Sequence, residues 1–172
     1  MSEDATGPPR VPIGNVLAVD LGLRCGLACL EVGQGDAPPR LLWYRSTHFG
    51  TIRQMKAAIH RLVLEASPLV LLVAEGDRQL AQPWLRSAEK RGARAVALSA
   101  ERWRKGSLLI REQRSGRDAK RAADRLAREI IHASGLPAAH SLRHDAAEAI
   151  VLGHWAASRV DELLKVEEQA EA

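Results

Sequence analysis

The chain has 172 residues, 46% of them hydrophobic and 27% charged, with a net charge of +4 at pH 7. That length and balance predict one soluble globular domain large enough for its own core. No apolar run reaches the ~20 residues of a membrane span, and the acidic, Pro/Gly-rich start MSEDATGPPRVPIG lacks a secretory apolar segment.

Aromatic residues make up only 3% of the chain, so the core is expected to be aliphatic. Arg outnumbers Lys, a basic bias that permits nucleic-acid binding without requiring it. Residues 1–14 read as a flexible lead, 15–160 as the domain and 161–172 as a polar tail. The segment 16–21 reads as a strand, 25–32 as a second and 41–48 as a third. Short connections between them suggest an antiparallel meander. Cys25 and Cys29 fall four apart in one strand, too far to bridge, and read as buried small apolar groups in a reducing, cytoplasmic setting.

The period then changes. Met55, Ala58, Ile59, Leu62 and Val63 recur at helical spacing over 52–66. The run LVLLVAE (69–75) reads as a strand buried on both faces. A helix over 79–91 follows; it either exposes Trp84 and Leu85 or packs Trp84 on the sheet. ARAVALS (93–99) reads as another buried strand, 118–133 as a helix, and a last helix starts near Arg143. The pattern predicts an α/β fold, a mixed five-stranded sheet flanked by helices.

Two acids interrupt this apolar plan. Asp20 lies inside the first strand and Glu75 closes the strand over 69–75. A carboxylate buried without partners costs several kcal/mol, and a divalent cation between two such strand ends would offset it. Asp145 and Glu148 are three apart and share a helix face. Asp-x-x-Glu ahead of an apolar helix is also a capping box, with Asp145 as N-cap. Together with Asp20 and Glu75, the pair makes a set of four oxygen-donor side chains suited to two hard cations, Mg²⁺ or Mn²⁺. Two such ions suit hydrolysis of a phosphodiester.

A strand with D-x-G, a meander, a strand ending in Glu, a basic segment and a late DAAE helix, in that order over 16–157, resembles the ribonuclease H-like nucleases. Within them it is most similar to the RuvC-type Holliday junction resolvases, as a phage-like or divergent member. The family's first acid falls on Asp20 in VDLG, its second on Glu75 in VAEG, and its closing pair on Asp145 and Glu148 in HDAAEA, where Glu148 replaces the usual Asp. Its Gly-x-x-x-Lys run falls on Gly116 and Lys120. The first motif is one residue shorter than in most resolvases, a spacing similar to the RuvX/YqgF relatives and to mitochondrial and viral resolvases. ERWRKGSLL looks similar to the phage enzymes.

The resemblance implies a ribonuclease H-like nuclease that cuts branched DNA at four-way junctions. It also implies Asp20, Glu75, Asp145 and Glu148 as ligands of two Mg²⁺ or Mn²⁺, Lys120 beside the scissile phosphate, and a homodimer associated with the nucleoid. No membrane contact and no small-molecule cofactor are expected.

Arg102, Arg104, Lys105, Arg111, Arg114, Arg117, Lys120 and Arg121 form a basic run around Trp103, and only Glu112 is acidic between Arg102 and Arg117. Such a run is commonly a solvated face. Its aromatic interleaving beside an acidic cluster suits a nucleic-acid backbone or an unstacked base. His144 adjoins Asp145 and either serves the metal site or points away; His154 falls off the shared face and reads as structural. Two alternatives stay open: an RNA-processing nuclease of the RuvX/YqgF kind, and a non-catalytic nucleic-acid-binding domain in which Asp145 and Glu148 only cap a helix. A sugar-kinase or actin-like ATPase needs two such domains, more than 172 residues supply.

Overall fold

The computed structural model describes residues 13–165. Strands β1 (Asn15–Asp20), β2 (Arg24–Glu31), β3 (Arg40–His48), β4 (Leu69–Glu75) and β5 (Arg94–Leu98) form one sheet in the order β3-β2-β1-β4-β5. The β1–β2 and β2–β3 pairs are antiparallel, and the β1–β4 and β4–β5 pairs parallel. The predicted mixed sheet is therefore present, with β1 at its centre. The lead over 1–12 and the tail over 166–172 lie outside the described residues. Part of the stretch expected as tail is ordered helix, α6 (Val160–Lys165), which buries Leu163.

Period-2 alternation splits the core in two. Leu17, Val19, Leu72 and Ala74 face α1 (Ile52–Glu65) and α2 (Arg78–Glu89). Val16, Ala18, Leu71 and Val73 face α3 (Ala100–Ser107), α4 (Gly116–Ala133), α5 (His144–Ala157) and α6. Helix starts follow their caps: Thr51 and Gln54 close a capping box on α1, and Asp77 accepts from the N–H groups of Gln79 and Leu80 at α2. Trp84 is fully buried between α2 and the sheet, so of the two readings of that helix the packed one holds. Cys25 and Cys29 are free and buried.

Helix α5 is apolar on all sides, because the sheet covers one flank and α3, α4 and α6 cover the others. Its first turn lies directly on β2 at Gly26, where any Cβ would collide with the Asp145 carbonyl oxygen. Gly26→Ala must therefore push α5 away from the sheet. Overpacking of this kind costs about 1–3 kcal/mol, which corresponds to a fall of roughly 2–12 °C in Tm for a domain of this size. Thermal unfolding measures it, with Gly116→Ala as control: open space surrounds that position, and no fall is expected there.

Candidate active site

One row of residues across the sheet defines the site. Ser46 on β3 pairs with Gly26 on β2, Gly26 with Asp20 on β1, and Asp20 with Glu75 on β4. Asp20 continues the alternation Val16, Ala18, and Glu75 continues Leu71, Val73, so both carboxylates face α5. Glu148, in the second turn of α5, meets them there. Asp20 comes within hydrogen-bonding reach of both Glu75 and Glu148. Burial, then the neighbouring Glu148 and Glu75 carboxylates, push the Asp20 carboxyl up to about 9. Burial also raises Glu75, against the pull of its hydrogen bond with Asp20 and of the Arg104 guanidinium.

Asp145 is set apart. The N-cap of α5 is Arg143, with no side-chain capping bond, so the predicted capping box does not form. Asp145 instead accepts a 2.7 Å hydrogen bond from the Ser46 hydroxyl. Ser46 carries no motif, and only the strand register brings it to the site. Arg104 of α3 donates to Glu148 at 2.7 Å. Its predicted role was contact with nucleic acid; here its guanidinium is turned inward onto the carboxylates. Trp103 is a correction of the same kind. It is fully buried in the core beneath α3, so its ring is closed to an incoming base.

Asp20, Asp145 and Glu148 line an open cleft of about 500 Å³ together with Arg24, Lys120, Leu142, Arg143 and His144. Lys120 is exposed on α4 and lines the same cleft as Asp20, Asp145 and Glu148. Glu75, which pairs with Asp20, is not part of that lining. The rest of the basic run disperses: Lys105 pairs with Glu101 at 2.8 Å. Arg111 and Arg121 line a separate groove with Glu112, Asp118 and Arg125. Arg102, Arg114 and Arg117 are exposed. His144 lines the cleft. His154 is half-buried away from it, and burial lowers its pKa.

Among the described residues, no group of three or more His, Cys, Asp or Glu side chains stands ready-made to hold a metal ion. The donors nevertheless fit a hard cation. All are carboxylate oxygens, burial and then mutual crowding push Asp20 toward its protonated form, and among the described residues Arg104 is the guanidinium paired with them. Divalent ions there would take the place of the proton on Asp20 and of Arg104 on Glu148.

The mixed five-stranded sheet, with Asp20 at the C-terminal end of its central strand β1, has the ribonuclease H-like fold found in RuvC-type resolvases of known structure. T. thermophilus RuvC, solved in complex with a Holliday junction substrate, matches 87% of this chain and 96% of its own, at TM-score 0.61 and 17% identity. The fowlpox virus resolvase, solved with Holliday junction DNA, matches 88% of this chain and 99% of its own, at TM-score 0.63 and 13% identity. The yeast mitochondrial Holliday junction resolvase Ydc2 matches 95% of this chain and 88% of its own, at TM-score 0.59 and 12% identity. No protein-family model matches the sequence, and no curated protein does. No helix among the described residues is long and apolar enough to cross a membrane.

Proposed function

We propose that this protein is a divalent-metal-dependent endonuclease that hydrolyses phosphodiester bonds in branched DNA, as a resolvase of four-way junctions. The observation that carries the reading is the register pairing of Asp20 with Glu75 on the two central strands, met from above by Glu148 of α5. Three RuvC-type resolvases sharing the fold, two of them solved with junction DNA, support the choice of substrate.

Asp20, Glu75, Asp145 and Glu148 would hold two Mg²⁺ or Mn²⁺. When bound, such a pair supplies activation of the attacking water and stabilisation of the leaving oxygen. The chain's own residues do the rest. The sheet row fixes Asp20 and Glu75, and Ser46 orients Asp145 through its hydrogen bond. Lys120 on the facing wall offers positive charge to the phosphate as negative charge develops there. A homodimer, presenting two clefts to two strands of a junction, belongs to the same reading.

The test is cleavage of a four-way junction by the full chain with Mg²⁺ or Mn²⁺, beside an RNA–DNA hybrid and a structured RNA. Symmetric nicking of the junction is expected, lost on chelation. Preferential cleavage of RNA, or activity untouched by chelation, would overturn the assignment.

A further inference from the structure

Three cations share the cleft with three carboxylates, yet none of them pairs with one. Arg24 is the first residue of β2, Lys120 stands on α4 and Arg143 at the start of α5, all exposed and all lining the cleft. Among the described residues, none of the three side chains has an ion pair or a hydrogen bond. The carboxylates find their partners elsewhere: Asp145 in Ser46, Glu148 in Arg104, and Asp20 in Glu75 and Glu148. Surface charges outside the cleft do pair, as in Lys105–Glu101, Arg125–Glu112, Arg128–Asp124 and Arg40–Glu31. The cleft cations are thus held in reserve around the carboxylate cluster.

Resting on the nuclease reading above, we infer that Arg24 and Arg143 are phosphate-binding residues for the strand being cut, gripping its backbone from two elements of the cleft lining, β2 and the start of α5. Guanidinium is the group for this task. Its planar fork meets two phosphate oxygens at once, and its charge survives at every working pH. Neither residue lies in the basic run over 102–121. Of that run only Lys120 lines the cleft, so the grip on the strand beside the carboxylates comes from the first residue of β2 and the residue ahead of α5, together with Lys120. The first motif places the Arg24 guanidinium four residues beyond Asp20, in the lining of the cleft.

The test is binding of a four-way junction to the full chain in Ca²⁺, where strands stay uncut, followed across a salt series. Each of Arg24→Ala and Arg143→Ala is expected to weaken binding about tenfold and to flatten the plot of log affinity against log salt by about 1. The double variant flattens it by about 2, and Arg→Lys at each site restores the slope by restoring the charge. Arg53→Ala, exposed on α1 across the sheet, leaves the slope unchanged, and Tm is unchanged throughout. If the wild type binds and nicks junctions while either Ala variant keeps the full salt slope, the two-sided grip is overturned and the nuclease reading stands. If the wild type neither binds nor nicks junctions, the nuclease reading fails and this inference with it.

Discussion

Asp20→Asn is expected to abolish junction cleavage while making the metal-free protein harder to unfold. The first effect follows from its place at the centre of the site, where it would bridge the strand acids and the helix acid to the cations. Losing about 4 kcal/mol of metal-derived stabilisation lowers the rate about 10³-fold. The second effect follows from its ionisation. Burial and the facing Glu148 and Glu75 raise the Asp20 pKa to about 9, from 3.8 in an ordinary setting. A carboxyl whose pKa is higher folded than unfolded contributes its stability in full below about pH 4, and that contribution is lost as pH climbs toward 9. Glu75, also raised, slopes the same way. In EDTA, therefore, wild-type Tm falls between pH 5 and pH 9, whereas the Asn variant, with no proton to lose, has the higher Tm at pH 8 and the flatter profile. Mg²⁺ should raise Tm for the wild type and far less for the variant. Thermal scans at several pH values with EDTA or Mg²⁺ measure all of this; an Asn variant that cleaves at the wild-type rate, or melts lower at pH 8 in EDTA, would contradict the picture.

Arg104→Gln should have the opposite sign. Removing one partner of a buried ion pair strands the other and costs about 3–5 kcal/mol. Because the Arg104 side chain is 27% exposed against 12% for Glu148, solvent screening reduces this to about 2 kcal/mol, or a Tm lower by roughly 4–8 °C. The loss should deepen as pH rises and the crowded acids ionise, and it should shrink when Mn²⁺ or Mg²⁺ is added, since a cation can stand in for the lost guanidinium. A Tm deficit indifferent to both pH and divalent ions would reduce Arg104 to a packing residue over Trp103, which its guanidinium faces at 5.4 Å.

The strand acids were legible because a carboxylate in an apolar run breaks a pattern that burial otherwise enforces. That they share one face was not legible, because both runs are apolar throughout; the Asp20–Glu75 register decides it. The pair on α5 was only half legible. The sequence Asp-x-x-Glu admits both a capping box and a cation site, and a contact 99 positions away, from the Ser46 hydroxyl, decides what Asp145 does. Register sets that contact, and local spacing carries no trace of it. Helix α3 escaped prediction because it buries one side chain, Trp103, and a single apolar residue has no period. For the same reason its Arg–Trp–Arg run read as a surface that grips nucleic acid, when the ring belongs to the core and the second guanidinium to the carboxylates. The reading of α2 was open for a related reason, since Trp84 fits equally a solvent-facing interface or a packed layer until the sheet is in place.

The wholly apolar surroundings of α5 have a dynamic consequence. Ten of its fourteen residues, from Ala146 to Ala157, are buried, so the helix cannot open without dismantling both the sheet face and the layer above it. Its backbone amides, beyond the first turn, should exchange with solvent only when the entire domain unfolds. Glu148 therefore sits on a deeply buried scaffold, whereas Arg24 and Lys120 stand at the exposed start of a strand and on an outer helix. Substitutions at those outer positions can retune what the cleft grips while the acids keep their places, so the substrate range of such a domain can drift without its chemistry being rebuilt.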